Sequence, residues 1–259
     1  DPERFQRGAQ EYAAYLKTPG GRLRLDLSIA HLQEFLPHPA GSLLALDIGC
    51  GTGAVGVRLA ELGFHVTLLD SSQPMLDIAE RAAKQAHVGD KIAVKHGDAV
   101  QLAALFEVKS FDVIVCHNVL EYVDDPNGVL RAAACLLRGP SSILSVLVRS
   151  QAGEVLKAAL LNGDLAVAEV NLTADWAEEA LYGGRVRLFT PAGLQAMLEA
   201  ASLAVISARG VRIISDYLPP RISRDDENEA IFRLECQLGK RPEFGAVARY
   251  TQCLASLRA

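Results

Sequence analysis

The chain has 259 residues, of which 50% are hydrophobic and 22% carry a charge, and its formal net charge is −5. This length suits one large domain, and the apolar fraction is sufficient for a complete hydrophobic core. The negative charge disfavours a surface that coats nucleic acid generally. The apolar runs are too short to span a bilayer, which takes roughly 20 residues, and no basic and apolar leader is visible, so we expect a cytoplasmic protein with no membrane partner.

The cysteines, histidines and charges narrow the classes of function further. Five cysteines form no C-x-x-C pair and six histidines show no metal-ligand spacing, so we expect neither a disulfide framework nor a metal site. Residues 1–184 carry a net charge of −8, whereas residues 185–259 carry +3. A polyanionic partner would therefore contact the C-terminal third of the chain.

Two helical patterns open the chain, at about residues 3–17 and 22–36. The sequence Thr-Pro-Gly-Gly at residues 18–21 separates them, because proline and paired glycines are typical helix breakers. We therefore expect a pair of helices before the first strand.

Residues 43–53 contain an apolar run, the acid Asp47 and three glycines in five positions, Gly49, Gly51 and Gly53, before a new helical pattern begins. This order predicts a buried strand, a tight turn and a helix. A turn with few Cβ atoms lets its backbone approach a ligand, and the start of the following helix carries a partial positive charge. We predict a nucleotide-like ligand at this turn, because an ordinary turn needs only one glycine.

The second predicted strand, residues 64–69, ends in Asp70. An acid at that point can reach the hydroxyl groups of a ribose, and it fits NAD and S-adenosylmethionine equally well. Residues 51–56 also satisfy the dinucleotide pattern G-x-G-x-x-G, which is a weak signal when it stands alone.

Polar residues also follow the third and fourth predicted strands, at residues 91–95 and 111–116. Asp98 either accepts a hydrogen bond from an adenine amino group or caps the helix that begins at Ala99, whose backbone is a further candidate contact. His117 reaches the carboxyl edge of the sheet, where ligands bind in open α/β sheets. The alternation of strands and helices predicts a mostly parallel sheet with right-handed crossovers.

The alternation stops after a fifth predicted strand at residues 142–148. Residues 151–190 follow, and we interpret them as a substrate lid in which Trp176 packs against other side chains. The remaining predicted elements are a helix at 191–201, a strand at 203–213, a helix at 225–238 and a final edge strand near 251–257.

The string Asp47-Ile48-Gly49-Cys50-Gly51-Thr52-Gly53 closely resembles motif I of the class I S-adenosylmethionine-dependent methyltransferases. Asp70, His96-Gly97-Asp98 and residues 111–126 extend this resemblance over residues 43–148. It implies a Rossmann-like α/β fold, with an open, twisted, mostly parallel sheet of seven strands, helices on both faces and an antiparallel edge strand. It also implies S-adenosyl-L-methionine as the cofactor, S-adenosyl-L-homocysteine as the product, and no metal.

The same resemblance implies a single methyltransferase domain over residues 1–259. Its parts would be a helical cap that covers the cofactor, a cofactor-binding core, a substrate-side insert or lid, and a C-terminal part that completes the sheet and the substrate side. These parts correspond to residues 1–40, 43–148, 151–190 and 191–259.

A narrower resemblance extends over nearly the whole chain. Residues 20–24, 117–121, 161–164, 210–218 and 249–250 are similar to bacterial tRNA 5-carboxymethoxyuridine methyltransferases, which esterify the carboxylate of a modified wobble uridine. This resemblance implies tRNA as the acceptor, with Arg212, Tyr217 and Arg249 on the substrate side and no residue assigned as catalytic. The implied cofactor contacts are Arg24, which would hold the methionine carboxylate, and Asp47, Gly49, Cys50, Gly51, Gly53, Asp70, Asp98, Ala99 and His117.

The residues leave other functions open. The acidic residues 175–179 stand where the resembled tRNA enzymes carry a lysine-rich run, which favours a small-molecule O- or N-methyltransferase. His117 would then remove the proton of a phenol or amine acceptor, whereas a carboxylate, with a pKa near ~4, needs no base. A second alternative binds the cofactor without transferring a methyl group. An NAD dehydrogenase is disfavoured, because no Tyr-x-x-x-Lys pattern is visible.

Overall fold

The computed structural model describes residues 3–37, 42–179, 181–223 and 225–258. The strands in these ranges are β1 Leu44–Ile48, β2 His65–Asp70, β3 Ile92–His96, β4 Val113–His117, β5 Ile143–Arg149, β6 Trp176–Glu178, β7 Arg185–Arg187, β8 Leu203–Val211 and β9 Tyr250–Leu257. The α-helices are α1 Glu3–Arg7, α2 Ala9–Leu16, α3 Pro19–Gln33, α4 Ala54–Glu61, α5 Gln73–Gln85, α6 Leu102–Leu105, α7 Pro126–Leu136, α8 Gln151–Leu156, α9 Leu165–Asn171, α10 Pro191–Ala200, α11 Asn228–Gly239 and α12 Pro242–Gly245. Short 3-10 helices span Gly89–Lys91 and Ala99–Gln101, and a π-helical turn spans Lys157–Leu161. None of the helices within the described ranges combines the length and apolarity needed to cross a bilayer.

Seven strands form one sheet in the order β3-β2-β1-β4-β5-β9-β8, and β6 pairs with β7 in a separate antiparallel hairpin. Strands β1 to β5 are parallel, whereas β9 runs antiparallel to both β5 and β8. The predicted fold class is therefore confirmed. The prediction that β9 lies at the edge is wrong, because β8 pairs along its outer side and residues 250–255 are buried as in an interior strand.

Helices cover both faces of the sheet, and the alternation along β1 distributes its side chains between them. Leu46 and Ile48 join a hydrophobic cluster with Leu130 of α7. Ala45 points the other way and joins a second cluster with Leu59 of α4. The two layers hold the carboxyl ends of the parallel strands at one edge, where the loops that follow them meet.

The helix α3 begins three residues earlier than the sequence patterns predict. The Thr18 side chain caps it by accepting a hydrogen bond from the Gly21 amide at 3.1 Å, and Pro19 occupies the first turn, where a missing amide costs no bond. The expected break at residues 18–21 is therefore the start of a helix. The earlier helical pattern is instead divided at Gly8, between α1 and α2.

Residues 151–190 contain α8, the π-helical turn, α9 and the β6–β7 hairpin, of which the hairpin was not predicted. Val186 on the inner face of this hairpin is fully buried, whereas Trp176 on the outer face is 40% exposed. Trp176 does pack against other side chains, the guanidinium groups of Arg185 and Arg187, but it is not part of the hydrophobic core.

Candidate active site

A cavity of about 480 Å³ opens at the carboxyl ends of the parallel strands. The loops after β1 to β4 and the end of β5 form its floor, the N-terminal helices and the 151–190 insert form its sides, and the ends of β8 and β9 close it. Its lining residues are Phe5, Tyr12, Tyr15, Arg24, Gly49, Gly51, Asp70, Ser71, Met75, Gly97, Asp98, Ala99, His117, Asn118, Val119, Tyr122, Val123, Arg149, Lys157, Glu179, Leu181, Tyr182, Arg212, Arg249 and Tyr250.

The turn after β1 lines the floor with backbone rather than side chains. Gly49 and Gly51 have φ angles of +61° and +53°, a left-handed conformation that L side chains rarely adopt. A Cβ atom at Gly49 would lie 2.5 Å from Val119, and one at Gly51 would lie 3.1 Å from the Tyr12 ring. The absence of both Cβ atoms therefore lets Val119 and Tyr12 pack against this turn and permits its conformation.

Asp70 lies at the end of β2, beside the same turn. Its carboxylate accepts hydrogen bonds from the Gly51 amide at 2.8 Å and the Ser72 amide at 2.9 Å. Burial raises the pKa of this carboxyl, and the backbone donors oppose that effect. Each oxygen has further accepting capacity, so Asp70 combines a fixed orientation with free lone pairs facing the cavity.

Seven of the ten residues predicted to contact a cofactor line the cavity, and Asp47, Cys50 and Gly53 do not. Asp47 lies beneath the turn, where it accepts a hydrogen bond from the Gly56 amide at 3.1 Å, and burial raises its pKa to about 7. The amides of Cys50 and Gly53 are already bonded to the carbonyls of Leu69 and Cys50. The structure therefore gives these three residues a role in shaping the turn.

Asp98 both caps a helix and lines the cavity, so its two predicted roles are compatible. Its Oδ1 accepts a hydrogen bond from the Val100 amide at 3.0 Å, and the Gln101 side chain accepts one from the Asp98 amide at 3.2 Å. Ala99 lines the cavity at the first position of that helix.

His117 and Asn118 follow β4 at the cavity floor. The His117 Nε2 lies 2.7 Å from the Ser145 hydroxyl, and burial together with the positive charge of Arg24 lowers the pKa of His117 to about 3. Its imidazole is therefore neutral at pH 7 and a poor base. Asn118 has φ of +55°, an uncommon backbone state that directs its side chain between Arg24 and Glu121.

Arg24 is buried, with 8% of its surface exposed, and faces the cavity from α3. It donates hydrogen bonds to the Asn118 side-chain oxygen and to the Tyr12 hydroxyl, both at 2.9 Å. The guanidinium lies 5.2 to 5.8 Å from the ring centres of Tyr12, Tyr15 and Tyr250. Within the described part of the chain, Arg24 forms no ion pair with a carboxylate, so its charge is available to a ligand.

Three further arginines line the side of the cavity that lies opposite the glycine turn. They come from segments that are far apart in sequence. Arg149 at the end of β5 pairs with Glu179 at 2.6 Å and Glu154 at 3.5 Å. Arg249 lies 3.3 Å from the same Glu154. Arg212, which has φ of +61° after β8, bonds to the Tyr15 hydroxyl at 3.0 Å.

These cations outnumber the carboxylates that neutralise them. Asp216 pairs with both Arg212 and Arg249, and Glu154 also pairs with Lys157. The positive side chains lining this half of the cavity are Arg24, Arg149, Lys157, Arg212 and Arg249, and the carboxylates paired with them are Glu154, Glu179 and Asp216. The buried Glu121, bonded to the Arg149 amide at 2.8 Å, adds a further acid. This part of the site therefore has a local excess of positive charge.

Tyr250 lies among these arginines on β9. Burial alone would raise the pKa of its phenol, but the positive charges of Arg24, Arg212, Arg149 and Arg249 outweigh burial and lower it. The shift is a consequence of the arginine cluster, which favours the negatively charged form of this phenol.

Two of the three residues predicted on the substrate side, Arg212 and Arg249, line the cavity, and Tyr217 does not. Tyr217 lies behind Arg249, and burial raises the pKa of its phenol. The sequence analysis did not identify Arg149 as a site residue, although Arg149 directly follows an apolar strand, as His117 does. It also missed Tyr12, Tyr15, Lys157, Glu179 and Tyr250, which no local pattern identifies.

The strand order, the glycine turn after β1 and the acid after β2 define the class I, Rossmann-like fold of S-adenosylmethionine-dependent methyltransferases. A family model described as "Methyltransferase domain" matches residues 46–144. The chain is therefore a methyltransferase that depends on S-adenosylmethionine, and the predicted family and enzyme class are confirmed.

The chain is similar to particular proteins over different shares of its length. It is 29% identical over 245 residues to the tRNA 5-carboxymethoxyuridine methyltransferase of Escherichia coli K12, which covers 92% of this chain and 89% of that protein. It is 33% identical over 135 residues to the ubiquinone biosynthesis O-methyltransferase of Xanthomonas axonopodis pv. citri, covering 52% and 53% of the two chains. A solved S-adenosylmethionine-dependent methyltransferase from Thermotoga maritima shares the fold, with a TM-score of 0.66, 16% identity and 99% coverage of both chains.

The cavity residues fit the cofactor that this family implies. The glycine turn faces the cavity with its backbone, and Asp70 presents accepting lone pairs beside it. When bound, S-adenosylmethionine supplies a methyl group carried on a sulfonium. Among the described residues, no cluster of histidine, cysteine and acidic side chains suits a metal ion.

Proposed function

We propose that this methyltransferase esterifies a carboxylate, and that the acceptor is 5-carboxymethoxyuridine in tRNA. The observation that carries the proposal is the excess of positive charge around Arg24, Arg149, Arg212 and Arg249. Unpaired positive charge is costly to bury, so a site built in this way favours anionic ligands.

Two carboxylates would find donors in this cluster, one from the methionine moiety of the cofactor and one from the acceptor. Arg24 has no acidic partner in the described ranges and lies beside the glycine turn, so we assign to it the carboxylate of the methionine moiety. Arg212 and Arg249 share Asp216, and we assign the acceptor carboxylate to them. Arginine suits that role because its planar guanidinium donates paired hydrogen bonds to a carboxylate.

The remaining cofactor contacts follow from the floor of the cavity. We assign the ribose hydroxyls to Asp70, and the adenine to Asp98 and the Ala99 backbone, since all three line the cavity beside the turn. The backbone of Gly49 and Gly51 would contact the remainder of the cofactor. The helices of residues 1–40 and the insert at 151–190 contribute Tyr12, Tyr15, Glu179 and Tyr182 to the walls, which supports their assignment as a cap and a substrate-side lid.

The chemistry of the site also supports a carboxylate over a phenol. A carboxylate, with a reference pKa near ~4, is ionised at neutral pH and attacks the methyl group without losing a proton. A phenol or amine needs a general base, and His117, with a pKa of about 3, is too weak a base to remove the proton. Alignment of the two reactants alone supplies roughly 7–11 kcal/mol, so the site needs no catalytic residue of its own.

The assignment to tRNA rests on likeness along the chain. The similarity to the Escherichia coli tRNA enzyme extends over 92% of the chain, whereas that to the ubiquinone O-methyltransferase extends over 52%. The acidic residues 175–179 disfavour tRNA binding less than the sequence suggests, because Glu179 is buried against Arg149 and Tyr122. A small carboxylic acid is the second candidate acceptor, favoured by the aromatic walls of the cavity.

Transfer of labelled methyl from S-adenosylmethionine to total tRNA from cells lacking this protein tests the proposal. We expect the label in the methyl ester of 5-carboxymethoxyuridine, identified by nucleoside analysis and released by mild alkali. Label in another nucleoside would contradict the acceptor assignment. No label on tRNA, with normal cofactor binding, would direct the search to small carboxylic acids.

A further inference from the structure

We propose that the outer face of the β6–β7 hairpin is a nucleobase-stacking site, on which Trp176 receives a base of the tRNA loop about three nucleotides from the one in the cavity. This inference rests on the proposed function, because it needs an RNA acceptor. It assigns a binding role to a tryptophan that lies outside both the cavity lining and the hydrophobic core.

The hairpin separates its side chains cleanly between two faces. Ala177 is opposite Val186 in the pairing register, and Val186 is fully buried against the body of the protein. Trp176 is opposite Arg187, and Glu178 is opposite Arg185, so these four side chains share the outer face. An indole that is 40% exposed on a small, anchored hairpin offers a firm flat surface to solvent.

Two arginine guanidinium groups lie over the ring of this indole in cation–π contacts, and a base would stack on the part of the ring that they leave exposed. The guanidinium of Arg187 lies 4.6 Å from the centre of the Trp176 ring, and that of Arg185 lies 5.7 Å from it. Within the ranges that the structure describes, neither arginine forms an ion pair with a carboxylate, and Arg185 is exposed while Arg187 is half-buried. Their donors are thus available to phosphate oxygens on either side of a stacked base.

The exposed ring of Trp176 is in contact with two arginines that have no carboxylate partner in the described ranges. Such a surface suits single-stranded RNA better than another protein surface. A base contributes a π-face, and its two phosphates contribute the negative charge that the arginines lack. The outer face carries Arg185 and Arg187 against one acid, Glu178, so its charge is complementary to a phosphate backbone.

The hairpin also lies at the right place, because its strands continue directly into the cavity wall. Glu179, Leu181 and Tyr182 line the cavity, and Glu179 is three residues beyond Trp176. Three residues of extended chain span about 10 Å, which equals about three stacked nucleotides of one strand. A nucleotide on Trp176 and the modified uridine in the cavity therefore fit on the same loop.

The experiment compares two acceptors, an anticodon stem-loop that carries 5-carboxymethoxyuridine and the free nucleoside. Trp176→Ala should raise the KM for the stem-loop about 5- to 150-fold, the range expected for losing one base–aromatic stack. Its kcat, and its methyl transfer to the nucleoside, should be unchanged. Trp176→Phe should retain most of the stem-loop binding, and Leu172→Ala, which removes another exposed apolar side chain of the insert, should have no effect.

Replacement of both Arg185 and Arg187 by glutamine should weaken the salt dependence of stem-loop binding, because fewer counterions are then released. An unchanged KM for Trp176→Ala, with an active wild-type enzyme, would overturn this inference and leave the proposed function intact. Equal losses on stem-loop and nucleoside would also overturn it, since they indicate a structural role. A dimer that Trp176→Ala dissociates would assign the face to a second copy of the chain. No transfer by the wild type to either acceptor would instead contradict the proposed function.

Discussion

The two halves of the cavity are built in different ways. The half beside β1 and β2 is made of backbone, with Gly49, Gly51 and one acid, all within residues 43–70. The half beside β5 and β9 is made of charged side chains, which come from α3, β5, the insert and the C-terminal segments. Variants in the first half, and variants of Arg24, which we assign to the cofactor, should therefore act on cofactor binding, whereas the other variants in the second half should act on the acceptor.

The largest effect is expected at the glycine turn. Gly49→Ala introduces a Cβ atom 2.5 Å from Val119 at a residue with φ of +61°. The left-handed conformation costs roughly 1–2 kcal/mol and the overpacking about 1–3 kcal/mol, so cofactor binding should be lost in calorimetry. Gly139→Ala is the matched control, because a Cβ there meets no atom within 4 Å. Normal cofactor binding by Gly49→Ala would contradict the role of this turn.

The next effect is expected at the arginines. Arg212→Ala removes a charge-assisted hydrogen bond to the acceptor, and kcat/KM for the carboxylate should fall about 10- to 150-fold, equivalent to about 1.5–3 kcal/mol. The dissociation constant for S-adenosylmethionine should stay within about twofold, because the change lies in the other half.

Arg233→Ala, which removes an exposed arginine paired with Glu229, controls for the loss of a positive charge. A thermal melt establishes that the Arg212 variant is folded. An equal loss of cofactor affinity in that variant would show that the two halves of the cavity are not independent.

A change of pH should have a smaller effect on kcat/KM than the arginine substitution. Between about pH 5.5 and 7, kcat/KM should be flat, since the acceptor, with a pKa near ~4, stays ionised. His117, whose pKa is lowered to about 3, stays neutral over the same range. As the pH rises further, Tyr250 loses its proton below its usual pKa near ~10, and the phenolate then competes with the acceptor for the arginines.

The KM for the carboxylate should therefore increase at alkaline pH, and Tyr250→Phe should remove that increase. The same profile can be recorded with the free nucleoside as acceptor, which separates this effect from RNA binding. A rise of kcat/KM through a pKa near neutrality would instead reveal a general base and contradict the carboxylate mechanism.

The smallest effect on activity is expected at Asp47. Burial raises its pKa from 3.8 to about 7, so the folded state binds a proton that the unfolded state has lost. The free energy of unfolding should therefore fall as the pH rises from about 4 to about 7, because the folded protein then loses the proton on Asp47. Asp47→Asn should not show this fall in stability. Denaturant unfolding at pH 5 and pH 8 measures the difference, and methyl transfer should change less than about threefold, because Asp47 lies under the turn. A large loss of cofactor affinity in Asp47→Asn would show that this acid contacts the ligand.

The same contrast explains how much the sequence predicts. The cofactor half is contiguous, so an apolar strand, a glycine turn and an acid after the next strand are enough to identify Gly49, Gly51 and Asp70 from the amino-acid sequence. The sheet is predicted for the same reason, since each strand and helix has its own periodicity.

The acceptor half has no such local signature. Tyr15 and Tyr250 meet only because α2 packs beside the end of β9, and Glu179 reaches Arg149 through a hairpin whose strands have three residues each. Strands of that length carry no readable alternation, which is also why the exposure of Trp176 was missed. Arg149 is the exception, because its place after an apolar strand follows the rule that identified His117.

The central claim is that the acceptor is a carboxylate, and one side-by-side measurement of labelled methyl transfer tests it. The acceptors are a stem-loop with 5-carboxymethoxyuridine, the same stem-loop with 5-hydroxyuridine, and a catechol. The account predicts label on the carboxylate alone, as an ester that mild alkali removes. Alkali-stable label on the hydroxyl of 5-hydroxyuridine or the catechol, with none on the carboxylate, would contradict it.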